Sequence, residues 1–205
     1  MIAIIDYGVG NLFSLQSSFR ALNIETVVSG EPEVLLAADK LILPGVGAFR
    51  DAADKLFSSG LADIILKKAS DGTHLLGICL GMQLLFEKSY EYGEHRGLSL
   101  LKGEVKAIAD TIPSGLKIPH IGWNYLTYPS GSSCHPLFAD LPHHPYVYFV
   151  HSYHAVGCED SLIASTDYGA SLTAAVAKNN VMGCQFHPEK SGDIGLSILR
   201  AFCSM

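Results

Sequence analysis

The chain has 205 residues, of which 48% are hydrophobic and 17% charged, with a formal net charge of −6. That balance suits one globular domain over residues 1–205 and argues against a disordered chain. No run of Lys and Arg stands out, which excludes the footprint of a nucleic-acid binder and a polybasic membrane patch.

The opening Met1-Ile2-Ala3-Ile4-Ile5-Asp6 is apolar but short and has no preceding positive charge, so it reads as a buried strand and not a signal peptide. No apolar stretch approaches the ~20 residues that span a bilayer, and a cytosolic chain is expected. The five cysteines are Cys79, Cys134, Cys158, Cys184 and Cys203. Their odd number and the lack of CxxC argue for reduced thiols, without a disulfide framework or a zinc site.

Along the chain, Ile2–Asp6 is the first β-rich run and ends in Gly8 and Gly10. From Asn11 through Leu22, apolar Leu12, Leu15, Phe19 and Leu22 mark one helix face. Ile24–Val28 and Lys40–Leu43 are the next β-rich runs, the latter closed by Pro44-Gly45. Helical stretches follow from about Phe49 to Phe57 and from Leu61 to Ala69. Leu75–Ile78 then leads straight into Cys79, and Leu80–Phe86 has a helical look. The second half differs. Gly93–Gly97 and Pro113–Gly115 are turn signals, and Pro129–Ser133 is a small Ser/Gly loop. Tyr146–Val150, Ser161–Ser165, Leu172–Ala177 and Val181–Phe186 are short β-rich runs, with Asn179-Asn180 placed to close a hairpin between the last two. A final helix is expected from about Ile194 to Phe202. The fold class is therefore α/β: a mostly parallel central sheet flanked by helices, with additional antiparallel strands. Active sites in such sheets lie beyond the carboxyl ends of the strands, here the loops Gly8–Asn11, Pro44–Phe49 and the Cys79 turn.

Two stretches carry chemistry. In Gly77-Ile78-Cys79-Leu80-Gly81, a strand enters Gly-x-Cys-x-Gly and a helix leaves it, the layout of a nucleophile elbow with sulfur in place of oxygen. Small flanking residues suit a strained turn, and the first amides of the following helix favour thiolate. Near the other end, Phe186-His187-Pro188-Glu189 follows a β-rich run. Residues two apart in extended chain point the same way, so Glu189 is placed to reach back to the His187 imidazole and fix its tautomer. Cys184 is the competing nucleophile, but it lacks the glycine elbow.

Together, Gly-Ile-Cys-Leu-Gly-Met-Gln at 77–83 and Phe-His-Pro-Glu at 186–189 resemble the two signature blocks of the class I (triad) glutamine amidotransferases. The likeness extends over essentially the whole chain. Further blocks are Asp6–Leu12, Pro44–Phe49, His120–Asn124, Tyr148–Tyr153 and Gln185–Ser191. They are similar to the branch of that family formed by the glutaminase subunits of imidazole glycerol phosphate synthase, in histidine biosynthesis.

The resemblance implies a thiol attack on glutamine by Cys79, with His187 as base and acid and Glu189 as its orienter. Leu80 is the expected first oxyanion donor. The second is expected from the Gly45-Val46-Gly47 loop, through the amide of Val46 or of Gly47, with glycines that allow a peptide flip. Gln83 is expected in the glutamine pocket. Asn11 either tethers the oxyanion loop or caps the first helix. No cofactor and no metal site are implied. The implied partner is a cyclase subunit with a β/α barrel, a heterodimer in which ammonia reaches a phosphorylated ribulosyl carboxamide nucleotide. Trp123, Tyr148 and Lys190 are the candidate contacts with it. A glutaminase serving another synthase, such as a sugar amidotransferase, and a non-catalytic binding module stay as alternatives.

Overall fold

A computed structural model describes residues 1–129 and 134–205. Apart from Pro129, the Ser/Gly loop expected at Pro129–Ser133 lies outside the described residues. The first half runs β1 (Ile2–Ile5), α1 (Leu12–Ala21), β2 (Thr26–Ser29), α2 (Pro32–Ala37), β3 (Lys40–Leu43), α3 (Phe49–Ser58), α4 (Leu61–Ser70), β4 (His74–Ile78) and α5 (Leu80–Leu84). The second half runs β5 (Lys88–Ser89), β6 (His95–Arg96), β7 (Glu104–Ala107), β8 (His120–Tyr125), β9 (Tyr146–His151), β10 (Tyr153–Val156), β11 (Leu162–Asp167), β12 (Ser171–Lys178), β13 (Val181–Cys184) and α6 (Gly192–Ser204).

The seven-stranded sheet has the order β11-β12-β13-β4-β3-β1-β2. Strands β13, β4, β3, β1 and β2 run parallel to one another, while β12 and β11 add on antiparallel. This is the α/β class with antiparallel additions that the alternating pattern implies. Side-chain alternation divides the core between the two faces of the sheet. Ala3, Ile5, Leu41, Leu43 and Leu75 face α2 through α5, whereas Ile2, Ile4, Ile42, Leu76 and Ile78 face Leu15 and Phe19 of α1 and Ile198, Leu199 and Phe202 of α6. Each such large apolar side chain contributes about 1.5–3 kcal/mol on burial.

The position of β13 creates the site. It runs parallel beside β4 with Cys184 opposite Ile78, and Cys79 N donates to Cys184 O at 2.8 Å. The exits of two strands from distant parts of the chain thus lie side by side. The Asn179-Asn180 hairpin that feeds β13 is present between β12 and β13, with Lys178 paired to Val181 and Asn179 at φ 55°.

Several element boundaries differ from the sequence reading, three of them with a clear local cause. The second strand begins at Thr26, because Ile24 N still bonds to Phe19 O in the turn that closes α1. The helix after Cys79 stops at Leu84 and does not reach Phe86. The carbonyls of Leu84, Leu85 and Phe86 accept from Leu98, Leu100 and Ser99 instead of from a next helical turn. Strand β13 ends at Cys184, because the chain then leaves β4 and His187 N bonds to Tyr148 O of β9 at 3.0 Å.

Strands β5–β7 and β10 form a second sheet in the order β10-β7-β5-β6, and β8 pairs with β9 in a separate ribbon. Strand β8 has a reversed pattern. His120 points inward and is buried, while Ile121 and Trp123 point outward and are 58% and 55% exposed.

Candidate active site

Cys79 occupies φ 55°, ψ −112°, a sparsely populated conformation for a residue with a side chain, worth about 1–3 kcal/mol of strain. Close backbone packing holds it there. A Cβ on Gly77 would stand 2.7 Å from Gly81 O, and one on Gly81 would overlap the Leu43 carbonyl oxygen of β3. Both glycines are therefore required by close approach. On the far side of the same contact, a Cβ on Gly45 would lie 2.8 Å from Gly81 N. Gly45 thus serves close packing, while the conformational freedom expected of the loop resides in Gly47, at φ 93° with open space around its Cα. The short helix α5 has no side-chain cap, so the Leu80 amide has no partner within the helix. With only five residues, α5 supplies less dipole than a full helix would.

His187 is buried at the exit that follows β13. Its Nδ1 lies 2.8 Å from Glu189 Oε1. The extended geometry expected for this contact is absent: Pro188–Lys190 is a 3₁₀ turn, and Glu189 reaches the ring by folding back. Ser191 Oγ donates to His187 O at 2.7 Å and accepts from Tyr148 N at 3.0 Å, so the turn is anchored to β9. Burial pushes the imidazole pKa down, but contact with Cys79 and Glu189 outweighs it and holds the pKa at about 10. The ring therefore carries its proton at neutral pH.

Cys79 and His187 open onto one cavity of ≈ 390 Å³. Val46, Gly47, Leu80 and Gln83 line it. Glu91, Pro119, Lys190 and the segment Val150–Tyr153 complete it. Gln83 is buried, and its Nε2 donates to Tyr153 O at 3.1 Å and to Gln185 Oε1 at 2.9 Å. Asn11 takes the capping role: its Oδ1 accepts from Ser14 N at 3.3 Å at the start of α1. The oxyanion-side loop is tied down by other groups. Tyr7 OH donates to Pro44 O at 2.7 Å, and Glu91 Oε2 accepts from Phe49 N at 2.5 Å. Burial, then the nearby Cys79, raises the Tyr7 pKa, so it stays a donor.

Trp123 and Tyr148 cluster with Lys190, which also lines the cavity. Trp123 and Tyr148 are cross-strand partners with ring centroids 6.1 Å apart, and Lys190 Nζ lies 5.8 Å from the Tyr148 centroid. Cys184 is fully buried, and burial pushes its thiol pKa well up. Among the described residues, no group of three or more His, Cys, Asp or Glu side chains is placed to hold a metal ion. No helix among them is long and apolar enough to cross a membrane.

Tyr7, His151 and Gln185 fall within the blocks that carry the resemblance, but the sequence reading gives none of them a role, and Glu91 lies in no block. Glu91 has no local signature. Gln185 offered a faint one, as a polar side chain in the otherwise apolar run Val181–Phe186.

A thiol on a strained strand–helix elbow, sharing a cavity with an imidazole–carboxylate pair, is the equipment of cysteine acyl transfer. Residues 3–204 match the family model for glutamine amidotransferase class-I, and the chain belongs to that family. Its fold is shared with a crystal structure of a glutamine amidotransferase at TM-score 0.75 and 20% identity, over 99% of this chain and 100% of the other. The particular branch is that of imidazole glycerol phosphate synthase subunit HisH. The chain is 50% identical to HisH of Sulfurimonas denitrificans, covering 98% of this chain and 97% of that protein. It is 52% identical to HisH of Lactococcus lactis subsp. lactis, covering 98% and 96%.

Proposed function

We propose that this chain is the glutaminase subunit of an imidazole glycerol phosphate synthase, acting in the cytoplasm as a single domain in complex with a β/α-barrel cyclase subunit. Cys79 thiolate attacks the side-chain amide carbon of glutamine. The C–N bond breaks as His187 gives its proton to departing ammonia, leaving a γ-glutamyl thioester on sulfur. His187, now neutral, takes a proton from water, which attacks the thioester and releases glutamate and the Cys79 thiolate. Glu189 holds the ring and offsets its charge. The amide of Leu80 and that of Val46 or Gly47 are the assigned oxyanion donors, a task in which losing one donor costs about 10²–10³ in rate. Gln83 lines the pocket for the glutamine.

The observation that carries this reading is the single cavity onto which Cys79 and the Glu189-bound His187 both open. The partner surface is assigned to the ribbon around Trp123, Tyr148 and Lys190. Exposed aromatics with a cation are frequent interface anchors, and here the Tyr148 backbone is bonded directly to His187 N.

The test is glutamine hydrolysis measured for the chain alone, with a histidine-pathway cyclase, and with cyclase plus its nucleotide ligand. Stimulation by the cyclase and formation of imidazole glycerol phosphate from glutamine are expected. Hydrolysis that no cyclase stimulates, with no glutamine-dependent product, would assign the chain to a different synthase.

A further inference from the structure

Gln185 follows β13, is fully buried, and has no part in the mechanism above. Its Nε2 lies 3.7 Å from Cys79 Sγ. We infer that Gln185 is a further residue of the reaction site, donating a hydrogen bond to the Cys79 sulfur, and that its bond to Gln83, itself oriented by the Tyr153 carbonyl, fixes which end of its amide faces that sulfur. The inference rests on the assignment of Cys79 as the nucleophile.

The two ends of an amide side chain are nearly isosteric, so the bonding partners must decide its orientation. Here a backbone carbonyl decides it. Tyr153 O is only an acceptor, so the end of Gln83 that meets it at 3.1 Å is the amino group. The same nitrogen lies 2.9 Å from Gln185, whose near end must then be the carbonyl oxygen. That leaves the Gln185 amino group pointing at the sulfur.

The Tyr153 carbonyl is itself held from the ribbon side. His151 Nδ1 donates to it at 2.9 Å, which makes His151 Nε2 an acceptor. His120 Nδ1 donates to that nitrogen at 3.0 Å. His120 Nε2 in turn accepts from Asn124 Nδ2 at 3.4 Å, and Asn124 Nδ2 also donates to Asp167 O at 2.7 Å. One arrangement of protons satisfies the whole chain. His120 stacks between Phe149 and Tyr168, with centroids 4.9 Å and 4.1 Å away. Burial keeps both rings neutral at neutral pH, with His120 pushed down to about 4 and His151 to about 3.

An N–H donor favours a negative sulfur over a neutral one. Sulfur is negative before attack and again when water expels it from the thioester. Gln185 therefore favours the charged sulfur at both ends of the cycle. Gln83 acts through Gln185 as a positioning residue in this respect, while His151 and His120 hold the carbonyl that Gln83 meets.

The test is the rate of Cys79 carbamidomethylation by iodoacetamide at neutral pH in the full chain, followed by peptide mass spectrometry. Gln185→Met keeps the volume and removes the donor. Its Cys79 is expected to react about tenfold more slowly. Gln185→Glu keeps an acceptor for Gln83 but turns an acceptor to the sulfur. It is expected to react more slowly still, and it serves if the methionine variant does not fold. A folded variant of either kind that is alkylated at the wild-type rate overturns the inference. Full glutaminase activity in Cys79→Ala overturns instead the assignment of Cys79 as nucleophile, so the two failures are distinct.

Discussion

The cavity has two walls of different construction. The wall from the parallel sheet carries Cys79, Leu80, the Pro44–Gly47 loop and, following β13, the His187–Glu189 turn, and around Cys79 it is packed backbone against backbone. Gly45, Gly77 and Gly81 stand where a Cβ would meet main-chain atoms at 2.8 Å or less. The opposite wall, Val150–Tyr153, is a corner between a two-stranded ribbon and the second sheet, and side chains stitch it in place through His120, His151 and Gln83. Reacting atoms need fixed geometry, which close-packed main chain supplies. A wall held by side-chain hydrogen bonds is easier to shift. The ribbon that contributes to it also carries Trp123 and Tyr148.

Substitutions separate the two walls by the size and kind of their effects. The largest belongs to the first wall. His187→Ala removes both proton transfers and is expected to lower kcat by about 10³ or more. Glu189→Gln keeps the contact but loses the charge, and its amide can present a donor to Nδ1. A fall in kcat of about 10²–10⁴ is expected, with KM little changed; a variant within threefold of wild type would remove Glu189 from the mechanism. Gly81→Ala drives a methyl group into the Leu43 carbonyl oxygen. It is expected to cost about 3 kcal/mol or more, a drop of roughly 6 °C or more in melting temperature. A stable, active Gly81→Ala chain would mean that the first wall is not held as described.

The second wall predicts smaller effects of another kind. His120→Phe fits the aromatic stack but leaves His151 Nε2 without its donor. KM for glutamine is expected to rise by up to about tenfold, and His120→Asn, which retains a donor near the Nδ1 position, is expected to recover most of the loss. A change confined to kcat, or no rescue by asparagine, would break the distinction between the walls. The smallest effect is on acid stability. Free histidine titrates near 6.5, whereas burial holds folded His120 at about 4 and His151 at about 3. Unfolding therefore takes up protons below about pH 6.5, so stability present above that pH is lost as pH falls toward 4. Melting temperature measured across that window is expected to fall less steeply in His120→Phe than in wild type.

The same contrast explains what the amino-acid sequence disclosed. The first wall is local: Gly-x-Cys-x-Gly and His-Pro-Glu each sit within a few residues, and the runs Ile2–Asp6, Lys40–Leu43 and Leu75–Ile78 have the unbroken apolar character of buried parallel strands. The second wall is assembled from residues far apart in the chain. Strand β8 turns His120, Gly122 and Asn124 inward and Ile121 and Trp123 outward, which defeats an apolar-inside pattern. Strands β5 and β6 have two residues each, too few for any periodicity. Glu91 caps α3 from 42 positions away, a contact that no spacing rule anticipates. The Glu189 contact was anticipated for a local reason that proved incomplete, since a 3₁₀ turn and not an extended strand brings the carboxylate to the ring.

The most direct measurement is a search for the covalent intermediate on sulfur. The cyclase complex is mixed with glutamine, quenched in acid within a turnover, and the Cys79 peptide is weighed. A γ-glutamyl adduct on Cys79, lost in Cys79→Ala together with ammonia release, is the predicted result. Steady glutamate production from a Cys79 that is never acylated, and that persists in Cys79→Ala, would contradict it.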